Sequence, residues 1–194
     1  MLKNIERGHG PMIVAGESRS AYFLQEEETK IETHTLSVLV DNEPGVLARI
    51  VGLFSGRGYN IESLTVSEVE HERHVSRITL VTTATPQVLD QIKNHIARLV
   101  PVHRVIDLTR MGDAIERELA LIKVAGTGEH RVEALRLAQA FDAKTVDATL
   151  ESFVFELSGM PAEIDRFVKL MTSCGLVEVA RTGLAALSRG KDGL

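Results

Sequence analysis

The sequence has no tryptophan, one cysteine, five prolines and only 4% aromatic residues in 194. A single cysteine, Cys174, excludes an intrachain disulfide and suits a reducing compartment. So few aromatics leave little for stacking nucleic-acid bases, and a formal net charge of −5 is the wrong sign for a phosphate footprint. No apolar run is long enough to span a membrane, and Met12–Ala15 is too short for the core of a signal peptide. These absences point away from nucleic acid and membrane and toward a cytoplasmic protein. What is present is ordinary for a folded chain. Hydrophobic residues make up 44%, and the length suits one domain or two small ones.

The most informative stretch runs from Leu36 to Val66. Leu36, Val38 and Val40 alternate as in a half-buried strand. Val46, Leu47, Ile50, Val51 and Phe54 then fall on one face of a helix. Between them lies Asp41-Asn42-Glu43-Pro44-Gly45. Pro44 fits the first turn of a helix, with Asn42 or Glu43 as its cap. Gly45 lacks a side chain, so a ligand could approach the free N–H groups of that turn. Gly56-Arg57-Gly58 ends the helix, and Tyr59 and Asn60 open the next strand.

From Thr33 onward the same order occurs twice. Residues 34 to 109 read as strand, helix, strand, strand, helix, strand, with Pro86 starting the second helix. Its apolar stripe is Val88, Leu89, Ile92, Ile96 and Leu99. Residues 117 to 182 repeat the order. Val132, Leu135, Ala138 and Phe141 face inward from one helix, and Ile164, Phe167, Val168 and Met171 from the other. The fold class is α+β, two ferredoxin-like βαββαβ units in tandem. The divisions are an N-terminal extension over 1–32, poorly ordered, a first domain over 33–110 and a linker over 111–116. A second domain covers 117–188, and a tail 189–194. Strands 2 and 3 carry apolar residues on both sides, while two helices cover only one face of the sheet. The first domain is therefore expected to pair with a second copy.

Catalytic chemistry is hard to find. Gly126-Thr127-Gly128 follows a strand, but Arg131 stands where a dinucleotide fingerprint needs its third glycine. No phosphate-binding Gly-Lys-Ser or Gly-Lys-Thr is present, and no serine sits in a nucleophile elbow. His71 and His74 lie at a hairpin tip with no cysteine or third histidine nearby. They read as exposed polar residues, and no metal site is expected. His103 reads as a surface residue and Cys174 as a small buried hydrophobe.

The string Asn42-Glu43-Pro44-Gly45-Val46-Leu47 resembles the strand-to-helix turn of ACT domains. With Gly52-Leu53-Phe54 and Arg57 through Val66 behind it, the sequence is similar to the small regulatory subunit of acetolactate synthase. The likeness continues to Ala180-Arg181-Thr182-Gly183. It implies an ACT domain in the first unit and a non-catalytic chain. The effector would be valine or another branched-chain amino acid, bound at the seam of an ACT dimer as feedback inhibitor. By the same resemblance Asn42, Glu43, Pro44, Gly45, Val46, Leu47, Asn60 and Ile61 would hold it. Arg181, Thr182 and Gly183 would contact a large catalytic subunit. Thiamine diphosphate and magnesium would belong to that partner, which the chain activates, and no cofactor to this chain. A stand-alone amino-acid sensor is the alternative, and a small enzyme on the same scaffold a third reading.

Overall fold

The computed structural model describes residues 30–112, 114–191 and 193. The poorly ordered extension expected over 1–32 lies, up to residue 29, outside the described residues.

In the first unit, β1 (Glu32–Asp41), β2 (Ser63–Glu70), β3 (Val75–Ala84) and β4 (Val102–Asp107) form one antiparallel sheet in the order β2-β3-β1-β4. Helices α1 (Val46–Ser55) and α2 (Pro86–Ala97) cover one face. Leu36, Val38 and Val40 of β1 and Ile78 and Leu80 of β3 meet Val46, Ile50 and Phe54 of α1 and Leu89, Ile92 and Ile96 of α2. The periodic residues are therefore the core, as burial of a single stripe requires. Thr85 caps α2 by accepting from the Val88 N–H at 3.4 Å, with Pro86 at the first helical position.

The second unit repeats this plan. Strands β5 (Ala114–Ala125), β6 (Lys144–Ala148), β7 (Ser152–Gly159) and β8 (Leu176–Arg181) take the order β6-β7-β5-β8, with α3 (Gly128–Ala140) and α4 (Pro161–Thr172) on one face. Phe155, Phe167 and Met171 centre its core, and Cys174 is buried beside them. Val132, expected inside, is 49% exposed. Ala138 is buried and Leu135 and Phe141 pack against the core, as expected, and Ala134, four residues before Ala138, is buried with them.

Two features depart from expectation. β5 starts at Ala114, inside the segment read as linker, and a ninth strand, β9 (Ala185–Ser188), pairs with its first four residues. The face of the first sheet away from the helices is also less apolar than expected. β3 does present Val81 there, but β2 presents Ser63, Thr65 and Ser67 beside Thr79 and Arg77. The chain's own β5–β9 ladder lies against this face: Thr35 Oγ1 donates to Glu116 at 2.7 Å, and Thr35, Ser37, Thr79 and Ala186 are all buried.

Candidate functional site

The Asn42–Leu47 turn connects β1 to α1. Gly45 has φ 89° and ψ −6°, and the Val46 N–H reaches the Glu43 C=O at 3.4 Å. With Pro44 at the second position, this is a type II turn, whose third position demands positive φ and so favours glycine. Pro44 therefore lies before the helix, not in its first turn. Gly45 takes the cap position, and no side chain caps the helix. The Asn42 N–H is engaged by His74 C=O at 2.6 Å, and the Arg49 N–H by Gly45 C=O at 3.0 Å. The N–H groups of Gly45, Leu47 and Ala48 have no partner among the described residues, and no acidic residue sits in the first turn. Asn42, Glu43, Pro44 and Gly45 are exposed, Leu47 is 39% exposed and Val46 is buried. The result is an open, positively polarised helix end with an aliphatic side chain beside it, suited to a carboxylate carrying an apolar group.

Asn60 and Ile61 lie elsewhere. α1 ends at Ser55, and the Tyr59 N–H bonds to Phe54 C=O at 3.0 Å, folding the Tyr59 ring edge-on to Phe54. Asn60 is exposed; its C=O accepts from Thr82 Oγ1 at 2.7 Å. β2 begins at Ser63, three residues later than expected, because 60–62 are held by single bonds rather than a ladder. Ile61 packs against the core, and a cleft of about 280 Å³ opens beside Tyr59, Asn60, Thr82 and Val88. The two groups of candidate residues thus sit at opposite ends of the ten-residue α1, about 15 Å apart along its axis. Within one chain they cannot grip the same small molecule.

The second unit's equivalent turn differs. Gly128 opens α3 at φ 59°, and Glu129 stands in the first turn, where its charge offsets the positive helix end.

Arg181, Thr182 and Gly183 are found at the junction of the two units. Arg181 grips Glu118 with Nε at 2.9 Å and Nη2 at 2.5 Å, and reaches Asp165 of α4 through Nη1. The hydrogen bonds that it donates to Glu118 hold the guanidinium above its ordinary pKa against the opposing effect of burial. Glu118 itself is 7% exposed, so this pair orders the end of β8 against β5. The Thr182 N–H bonds to Leu119 C=O at 3.0 Å, and Gly183, at φ 83°, lies against β2.

His71 and His74 both face Glu68 from the hairpin tip, at 2.9 and 3.7 Å, and both are exposed. His103 meets Asp41 at 2.7 Å on the surface. Among the described residues no group of three or more side chains could hold a metal ion. No helix of the described residues is long and apolar enough to cross a membrane.

Sequence reasoning missed β9 and the hydroxyls that receive it. The available signal was the alternation of Ser63, Thr65 and Ser67 along one strand.

Two protein families match the chain. The AHAS small subunit-like ACT domain matches residues 36–104, and the small subunit of acetolactate synthase, in its C-terminal part, residues 117–190. A probable acetolactate synthase small subunit from Archaeoglobus fulgidus is 41% identical over 157 residues, covering 81% of this chain and 97% of its own length. The acetolactate synthase isozyme 3 small subunit of Escherichia coli is 41% identical, covering 80% and 94%. Among solved structures, the acetolactate synthase small subunit of Thermotoga maritima superposes with a TM-score of 0.75 at 33% identity, covering 83% of this chain and 99% of that one.

Proposed function

The chain belongs to the family of acetolactate synthase small subunits, and from that premise we propose that it is a non-catalytic regulatory subunit, sensing valine or a related branched-chain amino acid. The sensor is the first unit. Its catalytic partner is a thiamine-diphosphate large subunit, which it activates in the absence of effector and restrains in its presence.

One observation carries the reading: the open helix end at Gly45 and the polar segment at Asn60 lie at opposite ends of α1. A two-fold axis at the β2 edge resolves this. Two copies pairing antiparallel along β2 set their α1 helices side by side and head to tail. Each Gly45 turn then faces the partner's Asn60 segment, giving two equivalent seam sites. β2 is suited to this role. It is an edge strand, and Val66 and Val69 on it are 47% and 44% exposed. At each site the Gly45, Leu47 and Ala48 N–H groups take the carboxylate, and the Asn60 amide takes polar groups of the same ligand. Leu47 and Ile61 offer apolar contact. Discrimination among valine, leucine and isoleucine rests on about one methylene, about 1–3 kcal/mol.

Calorimetry of the full chain with each branched-chain amino acid, followed by reconstitution with a large subunit, tests the proposal. Saturable binding with loss of reconstituted activity is expected. Binding without any effect on a large subunit would favour a stand-alone sensor, and absence of binding would remove the sensing role.

A further inference from the structure

Leu184 is 4% exposed, and its main chain is held at both polar atoms by one strand of the first unit. Its N–H donates to Ser63 Oγ at 2.9 Å, and its C=O accepts from Thr65 Oγ1 at 2.8 Å. Ser63 and Thr65 are two apart on β2, so both hydroxyls leave the same face. Gly183 fits tightly beneath them. A Cβ there would stand 2.9 Å from Ser63 Oγ and 3.0 Å from Thr65 Cγ2.

This contact has continuations on both sides. Toward the second unit, Thr182 bonds to Leu119 of β5, and Arg181 joins Glu118 of β5 to Asp165 of α4. Toward the first, Ser63 is three residues from Asn60, on an edge strand bonded to β3 alone. Beside the contact a cleft of about 700 Å³ separates Leu64 and Val81 from Met160 and Pro161. Apolar packing does not fill the seam there, so hydrogen bonds tie it: the two β2 hydroxyls hold Leu184, and Thr35 Oγ1 donates to Glu116 beside the same cleft.

We propose that Ser63 and Thr65, gripping the Leu184 main chain, form a clasp that carries effector occupancy at Asn60 into the second unit. The inference rests on the reading of Asn60 and Ile61 as effector contacts. A ligand bound there fixes the start of β2. The strand's position sets whether both hydroxyls reach Leu184, and Leu184 leads directly back to Arg181 and α4. By linkage, release of the clasp and ligand affinity must influence each other by the same factor. Ser63 and Thr65 touch no ligand in this scheme. They are positioning residues.

The test uses the full chain, alone and assembled with an acetolactate synthase large subunit. Three forms are compared: the parent, the double substitution Ser63→Ala with Thr65→Val, and the conservative Thr65→Ser. Valine binding is read by calorimetry, and inhibition by activity at saturating valine. The double variant is expected still to bind valine, with a Kd shifted from the parent's by the factor that linkage requires, in the range of roughly 5- to 150-fold typical of allosteric coupling. Its loss of activity with valine should nevertheless shrink by about half or more. Thr65→Ser keeps a hydroxyl and should respond like the parent, which a loss of packing alone would not explain. A double variant that binds valine and is inhibited as fully as the parent overturns the clasp and leaves the sensor intact. A parent that binds no valine overturns both. Should the double variant fail to assemble, amide hydrogen exchange on the parent chain decides. Valine is expected to change protection at 114–117 and 184–188, and unchanged protection there overturns the proposal.

Discussion

Gly45 is the residue at which conformation and proposed ligand binding meet. At φ 89° any L side chain is strained, although nothing lies within 4 Å of a Cβ placed there. The cost of substitution is therefore conformational, about 1–2 kcal/mol. In a chain of this size that corresponds to a fall in Tm of about 2–8 °C. Gly45→Ala and Gly45→Asp are both expected to show it by scanning calorimetry. Only Gly45→Asp should also lose the thermal shift given by valine, because its carboxylate repels the ligand's at short range. Equal loss in both variants would make the strain, not the charge, responsible. Asn60→Ala separates the two effects from the other side. Among the described residues only the Asn60 main chain is hydrogen-bonded, so stability should stay within about 0.5 kcal/mol while the valine shift disappears. An unchanged valine shift in Asn60→Ala would remove this residue from the site.

Elements differ in how plainly the sequence announces them. α1, α2 and α4 were legible because Ile50 and Phe54, Leu89 and Ile92, and Ile164 and Phe167 recur at helical spacing. α3 was legible as a helix with Leu135, Ala138 and Phe141 on its inward side; Val132 is turned outward, and buried Ala134 was hidden because an alanine packs close to a sheet without advertising a stripe. The Pro44-Gly45 pair serves equally well in a first helical turn and in a type II turn, and only the backbone distinguishes them. β9 was invisible. Ala-Ala-Leu-Ser has little strand propensity, and its partner at 114–117 is about seventy residues earlier in the chain. The division of the candidate residues between the two ends of α1 was hidden too, because sequence order gives proximity along the chain and not across it. At this scale the β2 edge makes its own prediction. Val66→Lys places like charges across the proposed two-fold seam and should weaken dimerisation by roughly tenfold or more, about 1.4 kcal/mol, by equilibrium ultracentrifugation. A dimer of undiminished strength would put the two-fold axis on another surface.

At the scale of the molecule, the two units keep separate cores. Phe167 is fully buried between Phe141 and Phe155, and Phe167→Ala should cost about 3–5 kcal/mol in the second unit alone. Two thermal transitions are then expected, with valine raising only the one that belongs to the first unit. A single shared transition would show that the seam couples folding as well as position. The hydroxyl-lined face of the first sheet has another consequence. Serine and threonine side chains released from β5 and β9 exchange those partners for water at little net loss, whereas an oily face so uncovered would adhere to other molecules. A chain ending at Met111 should therefore remain soluble. The first unit is thus a detachable part, joined to the second by a surface that tolerates being wetted, and one that selection could transplant to another neighbour without first rebuilding its core.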